Sequence, residues 1–211
     1  MPCRSAPAPP LASVSVVPTT IVLVRHGETD WNRENRFQGH ADPPLNETGR
    51  MQARALAERL RADRAVALYT SPLVSAYETA TVVGGRLGLE VTVAEELREV
   101  DVGSWSGLTR PEVEARFPAG YRRWLTYGHG WEDGETYDAL GIRVLSGLRA
   151  IAHAHPGERV LAITHGGPIR SALAAARGIE FERARRSIDV IGNCAVVPLA
   201  IRNGILEQVD G

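Results

Sequence analysis

The chain has 211 residues, of which 44% are hydrophobic and 23% are charged, and its formal net charge is -1. This length suits one α/β domain that can bury a sizeable core, and the composition excludes disorder of the whole chain. A charge this close to zero provides no overall basic field for nucleic acid or for an anionic membrane surface. We therefore expect a small-molecule partner, with no nucleic acid and no membrane.

Residues 1–18 are predicted to form a disordered tail, because they are rich in proline, alanine and serine. Their apolar piece is short and contains two serines, which disfavours a signal peptide. No stretch of the chain approaches the ~20 apolar residues that span a bilayer, and Cys3 and Cys194 provide neither a disulfide framework nor a zinc-binding spacing. A cytoplasmic protein with a single domain over residues 19–211 is expected.

The first half of that domain alternates between strand-like and helix-like segments. We predict strands at residues 20–24, 66–69 and 90–93, and helices from about residue 46 to 62 and from 72 to 87. A long polar loop leads from the first strand to the first helix, whose expected cap is Asn46 or Thr48. Strands that alternate with helices in this way predict a parallel sheet.

The pattern loosens between residues 97 and 135, where three of the four tryptophans collect with glycines, prolines and short helical pieces. We interpret residues 103–135 as a lid-like insertion whose tryptophans and tyrosines either stack on a substrate ring or fill its core. The core is favoured, since large aromatic side chains are mostly buried. Beyond it, we predict a helix over residues 137–153, a strand over 159–163, a helix that begins near Pro168, and a closing hairpin with strands at 192–201 and 205–209.

Two of the predicted strands end in the same pair of residues, a histidine followed by a glycine. His26 and Gly27 follow the first strand, and His165 and Gly166 follow the last core strand, so both imidazoles are expected at the edge where open α/β sheets bind ligands. Arg25, just before the first histidine, offers a planar fork to phosphate oxygens. A neutral imidazole can attack phosphorus when a hydrogen bond holds its other ring nitrogen. The pattern therefore predicts a phosphate site.

The segment from Leu23 to Asn32 resembles the signature of the histidine phosphatase superfamily, in its phosphoglycerate mutase-like branch: Arg-His-Gly-Glu-Thr-x-x-Asn after a strand. Four further blocks follow in the family's order, at residues 37–53, 69–80, 97–107 and 164–167, so the resemblance covers about residues 20–200. It implies an α/β three-layer sandwich with a central, mostly parallel sheet flanked by helices. It also implies a phosphoric monoester hydrolase that needs no metal ion or other cofactor.

Matched residue by residue, the resemblance implies that His26 is the nucleophile and that His165 stabilises the transferred phosphoryl group. Glu99 corresponds to the proton donor, although composition alone would make it one carboxylate of a solvated acidic face, and Asp101 is its nearest substitute. Arg25 is expected to act in both catalysis and binding. The other residues expected to bind the substrate are Asn32, Gln38, Gly39, Ser75 and Gly166.

Ser75 departs from the family pattern, because an arginine normally stands at that position and supplies the second guanidinium of the phosphate pocket. Loss of one charge-stabilising donor costs ~10²–10³-fold in turnover, by comparison with oxyanion-hole deletions. Arg36, Arg98 and Arg170 each lie near a motif and are candidates to replace it. Glu135, in a Gly-Glu-Thr turn, is expected either to orient pocket donors or to cap the next helix.

The sequence thus predicts a phosphatase that hydrolyses a small phosphomonoester through a phosphohistidine intermediate. Two alternatives are kept. One is a phosphoglycerate mutase, in which Arg122 and Arg123 would grip the substrate. The other is a catalytically weakened phosphate-binding protein, because Ser75 replaces the family arginine. The expected partner is a small phosphorylated metabolite, selected by residues 105–135, and a homodimer is compatible with the sequence.

Overall fold

A six-stranded sheet forms the centre of the fold. Its strands are β1 Thr19–Arg25, β2 Ala67–Thr70, β3 Val91–Val93, β4 Arg159–Thr164, β5 Val196–Arg202 and β6 Ile205–Gln208. In the order β3-β2-β4-β1-β5-β6, the first four are parallel to one another, whereas β5 is antiparallel to β1 and β6 to β5. This computed structural model describes residues 17–209, so residues 1–16 of the predicted tail lie outside its described part.

Eight α-helices occur within residues 17–209: α1 Asp30–Arg33, α2 Glu47–Arg59, α3 Val74–Leu87, α4 Arg110–Arg116, α5 Pro118–Thr126, α6 Tyr137–Ala154, α7 Gly166–Arg177 and α8 Phe181–Ser187. Asn46, rather than Thr48, caps α2, because its side-chain oxygen accepts the Gly49 N–H at 2.8 Å. The sequence pattern misses α1, α5 and α8, which have four, nine and seven residues, too few for an apolar repeat to show. None of these described helices is long and apolar enough to cross a membrane.

The central strand β1 buries both of its faces. Ile21 and Leu23 belong to one buried cluster, which α6 and α7 cover. Val22 and Val24 belong to a second cluster, which α2 and α3 cover on the opposite face. Helices on both sides of a mostly parallel sheet make three layers. The predicted fold class is therefore confirmed.

Residues 103–135 hold three tryptophans in a packed cluster of rings. Trp105 and Trp131 are 0% and 2% exposed, and their ring centroids are 5.5 Å apart. Phe37 packs edge-on against Trp105 at 5.1 Å and against Trp124 at 5.2 Å. The tryptophans therefore form core, as predicted, while the lid-like role of the segment stays a prediction.

Strand order sets where the functional side chains meet. β1 and β4 are neighbours, and their register pairs Arg25 with Thr164, the last residue of each strand. The residues that follow, His26 and His165, therefore leave the sheet side by side at its carboxyl edge. Ser71 follows β2 on the other side of β4, and its N–H donates to the Ile163 carbonyl at 3.0 Å.

Replacement of Leu148 in α6 by alanine is expected to lower the free energy of unfolding by about 2–5 kcal/mol, because the buried side chain would leave a cavity. Leu148 is 1% exposed, whereas Ile142 on the same helix is 68% exposed. Ile142→Ala is therefore the matched control, with an expected change below about 0.5 kcal/mol. Urea unfolding followed by circular dichroism measures both, and equal losses would contradict this orientation of α6.

Candidate active site

Two buried histidine rings lie at the centre of the site. His26 and His165 are each 3% exposed, and their ring centroids are 5.0 Å apart at an interplanar angle of 57°. The two strand endings therefore meet as the sequence pattern predicts. One phosphoryl group could contact both rings at this separation.

A hydrogen bond fixes the tautomer of His26. Its Nδ1 lies 2.6 Å from the carbonyl oxygen of Gly27, and because a carbonyl can only accept, Nδ1 carries the proton. Burial, assisted by the nearby charge of Arg25, lowers the pKa of His26 from 6.5 to about 3. At neutral pH the ring is therefore uncharged and its Nε2 keeps a free lone pair, as a nucleophile requires.

His165 is also neutral in the free protein. Burial lowers its pKa well below 6.5, and repulsion from His26, when that ring is protonated, and from Arg25 acts in the same direction. Its Nε2 lies 2.8 Å from the hydroxyl oxygen of Ser71. The sequence motif does not single out Ser71 for this contact, since only the position of β2 beside β4 brings the serine to the ring.

The Arg25 side chain has a buried hydrogen-bond donor without an acceptor. Its Nη1 donates to the Ile191 carbonyl at 2.6 Å, whereas its Nε is buried and has no hydrogen-bond partner within residues 17–209. Burial lowers the pKa of Arg25, and the Glu99 carboxylate opposes that shift. An unpaired buried donor is unfavourable until a ligand supplies an acceptor. Nε of Arg25 is therefore placed to bind a phosphate oxygen.

Glu99 lies against the N-terminus of α7 and faces the space beside Arg25. Its two carboxylate oxygens accept the Gly167 N–H at 3.1 and 3.2 Å, and Oε1 also accepts the Val100 N–H at 2.8 Å. A Cβ at Gly167 would overlap Oε1, so this contact requires glycine. At Gly166, a Cβ would lie 4.0 Å from both Arg25 Nε and Glu99 Oε2. Both are ordinary contact distances, so the space at this position does not require glycine.

An open cavity of about 370 Å³ collects most of the other residues named from the sequence, and its wall includes Arg25, Asn32, Gln38, Gly39 and Glu99. Gly39 has a φ of +52° and packs against Val102, which excludes a side chain there. Asn32 Oδ1 accepts the Thr29 N–H at 3.1 Å and a hydrogen bond from Asn193 Nδ2 at 3.2 Å, which leaves the NH₂ group of Asn32 for a ligand.

No three His, Cys, Asp or Glu side chains group as metal ligands within residues 17–209, and the expectation of no metal stays a prediction.

Asn193 is a further residue that the sequence does not single out. Its Nδ2 donates to the His26 carbonyl at 3.0 Å as well as to Asn32 Oδ1. Both halves of the first motif are thus joined by one amide from the loop before β5. A lone asparagine in a loop carries no sequence signal for this role.

Ser75 does not line the cavity. It is 3% exposed in the first turn of α3, and its carbonyl accepts the Thr79 hydroxyl at 2.7 Å. The Thr79 oxygen accepts the Gly27 N–H at 3.1 Å. The backbone at Ser75 therefore supports the turn that carries His26, and its side chain supplies no charge to the cavity.

The three arginines considered as replacements differ in position. Arg170 lines the cavity. Burial, which lowers the pKa of Arg25, and Glu99, which raises it, have the largest effects on that pKa, and the charge of Arg170 lowers it further. Arg36 also lines the cavity, but its Nε is held by Glu34 at 2.6 Å. Arg98 is absent from the cavity wall. Arg170 is therefore the candidate with a guanidinium available to a ligand.

Glu135 supports the Glu99 segment through Arg143. Its carboxylate oxygens accept Arg143 Nε at 2.9 Å and Nη2 at 2.7 Å, and Nη2 also donates to the Glu99 carbonyl at 3.3 Å. Thr136 caps α6 by accepting the Ala139 N–H at 3.0 Å. Of the two roles expected for Glu135, the structure favours orientation over capping.

The buried neutral histidines predict a pH dependence of stability. Below about pH 6.5 both histidines are protonated in the unfolded chain, whereas the buried rings of the folded protein stay neutral. The free energy of unfolding should therefore fall as the pH decreases toward 3. The expected slope is up to about 1.4 kcal/mol per pH unit for each ring. His26→Gln should show a shallower fall between pH 7 and 4, measured from urea midpoints. The exposed His153 supplies the control, His153→Gln, and a wild-type slope in His26→Gln would contradict the buried neutral state.

Comparison with known proteins agrees with this geometry. The model of the histidine phosphatase superfamily (branch 1) matches residues 21–208. Phosphoglycerate mutase-like protein 4 of Arabidopsis thaliana is 39% identical over 184 residues, which cover 83% of this chain and 76% of that protein. Phosphoserine phosphatase 1 of Hydrogenobacter thermophilus is 33% identical over 165 residues, which cover 77% of this chain and 78% of that protein.

A solved structure is similar over nearly the whole described chain. Bacillus stearothermophilus YhfR superposes with a TM-score of 0.84 at 33% identity, over 90% of this chain and 95% of that one. The resemblance stated from the motifs is thereby confirmed. The chain belongs to branch 1 of the histidine phosphatase superfamily.

Proposed function

We propose that this protein is a phosphatase that hydrolyses a small phosphomonoester through a phosphohistidine formed on His26. The observation that carries the proposal is the state of that ring, which is buried and neutral, with its proton on Nδ1 and a free lone pair on Nε2. Membership of a phosphatase superfamily and similarity to a phosphoserine phosphatase support the same reaction class.

In the first step, Nε2 of His26 attacks phosphorus while the bond between phosphorus and the alcohol oxygen breaks on the opposite side. Glu99 acts as the general acid that transfers a proton to the departing oxygen. Arg25 Nε and the Asn32 amide bind oxygens of the transferred group. The products of this step are a phosphorylated His26, a free alcohol and a Glu99 carboxylate.

In the second step, water attacks the phosphorylated ring. Glu99 accepts a proton from the water. The oxygen of the water bonds to phosphorus, and the bond between phosphorus and Nε2 of His26 breaks. Inorganic phosphate leaves, and both residues return to their starting states. The N–H groups of Val100 and Gly167, which bond the Glu99 carboxylate, stabilise it between the two steps.

His165 is proposed to stabilise the transferred group from the other side. Its ring centroid lies 5.0 Å from that of His26, so one phosphoryl group can reach both. The free site keeps His165 neutral, but an entering phosphate dianion favours the imidazolium, because an opposite charge at close range raises a histidine pKa. The charge needed on the ring is therefore induced by the substrate itself.

The geometry favours a phosphatase over a mutase. Arg123, one of the pair Arg122 and Arg123 considered for a mutase, is already engaged, because its Nη2 donates to Glu132 at 2.7 Å and to the Gly130 carbonyl at 2.8 Å. The third possibility, a weakened binding protein, rests on Ser75 alone, and Arg170 supplies a cation at the same cavity. Phosphate transfer to water is therefore the reaction that we propose.

The partner that fits this reaction is a small phosphorylated metabolite, as the relative's name also indicates for that relative. A cytoplasmic location, a homodimer and the absence of a nucleic-acid partner were expected from the sequence. These expectations stay predictions.

Replacement of His26 by alanine tests the proposal. We expect kcat/KM for p-nitrophenyl phosphate to fall at least ~10³-fold, as when a covalent nucleophile is removed. Acid-quenched reactions with a ³²P-labelled aryl phosphate should trap a phosphohistidine in the wild type and none in the variant.

The control for this experiment is His153→Ala, which removes an exposed histidine and should leave turnover and labelling intact. Unchanged turnover in His26→Ala would refute the nucleophile. Conversion of phosphoglycerates dependent on 2,3-bisphosphoglycerate would establish the mutase instead. Ligand binding without hydrolysis or labelling in the wild type would establish the binding protein.

Arg170→Gln is expected to lower kcat/KM for p-nitrophenyl phosphate by ~10²–10³-fold, if Arg170 supplies the charge that Ser75 does not. Arg36→Gln is the control, because Arg36 is already paired with Glu34, and its loss should be smaller. Ser75→Arg should recover activity in the Arg170→Gln background and change little in the wild type. An equal gain in both backgrounds would show that Arg170 is not the replacement.

A further inference from the structure

A second cavity of about 170 Å³ adjoins the one described above. Glu99, Trp124 and Arg170 line both cavities, so the two are continuous around the proposed proton donor. The phosphate-facing side chains of Arg25, Asn32 and Gln38 are absent from its wall. Its wall is largely apolar and aromatic, with Phe37, Trp124, Trp131, Tyr137 and Phe181. Under the proposed mechanism, this cavity is where the alcohol part of the substrate lies.

The charges that line the two cavities are strongly unequal. Among the described residues, Glu99 is the one carboxylate on their walls, against five arginines: Arg25, Arg36, Arg110, Arg170 and Arg185. Arg36 is paired with Glu34, and Arg25 and Arg170 are proposed to bind the phosphoryl group. Two cations therefore exceed what one phosphate needs.

These two cations, Arg110 and Arg185, approach the same indole ring. The guanidinium carbon of Arg185 lies 4.0 Å from the ring centroid of Trp124, and that of Arg110 lies 5.6 Å from it. Arg185 also donates a hydrogen bond to the Trp124 carbonyl. Within residues 17–209, neither arginine forms an ion pair with a carboxylate. The arginines come from α4 and α8. Trp124 of α5 lines both cavities, with Arg110 on the wall of the first cavity and Arg185 on the wall of the second.

The charged groups that act on Arg185 are also mainly cationic. Burial is the largest effect that lowers the pKa of Arg185, and Tyr137 opposes it. Arg170, Arg186 and Arg110 lower that pKa further, and no described carboxylate is among the contributors. Partly buried cations that repel one another are stabilised when an anionic ligand binds between them.

We propose that Arg185 in the second cavity, with Arg110 on the adjoining wall of the first and Trp124 between the cavities, forms a subsite for a second anionic group carried by the alcohol part of the substrate. The substrate class is a phosphomonoester whose leaving group combines an apolar or aromatic portion with a carboxylate or a second phosphate. A leaving group that bears an ammonium is disfavoured, since Glu99 is the one carboxylate that the described walls offer it. This inference rests on the proposed phosphatase function.

Aryl phosphates of matched size test the subsite: phenyl phosphate, 4-carboxyphenyl phosphate and 4-(aminomethyl)phenyl phosphate. We expect kcat/KM for the carboxylate to exceed that for phenyl phosphate at least ~10-fold, since a charge-assisted hydrogen bond is worth about that factor. The ammonium compound should be the poorest of the three. Benzene-1,4-diyl bisphosphate, compared with the carboxylate, identifies which second anion the subsite prefers.

Arg185→Gln should lower the ratio of kcat/KM between 4-carboxyphenyl and phenyl phosphate at least ~10-fold, mainly through a higher KM for the carboxylate. Arg183→Gln, on the same helix, exposed and paired with Glu180 at 2.9 Å, is the matched control and should keep the wild-type ratio. Arg185→Lys retains the cation and should keep part of the ratio, which a merely structural role of Arg185 would not predict.

The two proposals fail in different ways. If the wild type hydrolyses none of the aryl phosphates and forms no phosphohistidine, the phosphatase function itself is wrong. If it hydrolyses phenyl phosphate as well as 4-carboxyphenyl phosphate, the function stands and the anion subsite is wrong. An unchanged ratio in Arg185→Gln would also overturn the subsite.

Discussion

The pairing of β1 with β4 is the constraint on which the site depends. Its register sets Arg25 opposite Thr164, so each strand presents a histidine at the same edge in the next position. A slip of one residue would exchange the faces of every β1 side chain. Such a slip is strongly disfavoured, because alternate β1 residues fill two different buried clusters. The packing of the core therefore determines the distance between the two histidine rings.

Burial also determines the charge of those rings. A protonated imidazole has no lone pair with which to attack phosphorus, and burial holds the pKa of His26 at about 3, far below neutrality. The positive charge of the site consequently comes from arginines. His165, kept neutral by the same burial, gains a proton favourably when a dianion arrives. The resting site thus combines a free nucleophile with cations that do not compete for its lone pair.

The sequence predicts the elements whose signals are local. Apolar runs and the residues that end them are contiguous, which is why the strands that carry His26 and His165 can be predicted. Ser71 and Asn193 reach those rings from other segments, and only strand order reveals their contacts. The sequence allows two roles for Glu135, because its partner Arg143 lies on the next helix and a turn motif cannot specify which carbonyl groups that arginine binds.

The arginines explain why an overall charge of -1 can coexist with a strongly cationic site. They come from the end of β1 and from α4, α7 and α8, elements far apart in the chain that converge at one edge of the sheet. Charge at such a site depends on where guanidinium groups end up, and less on which element carries them. A serine at position 75 is therefore compatible with catalysis when α7 supplies Arg170. Arg185 lines the second cavity and not the first, so the charge that we propose for the subsite selects the leaving group, whereas the phosphoryl group is common to every substrate.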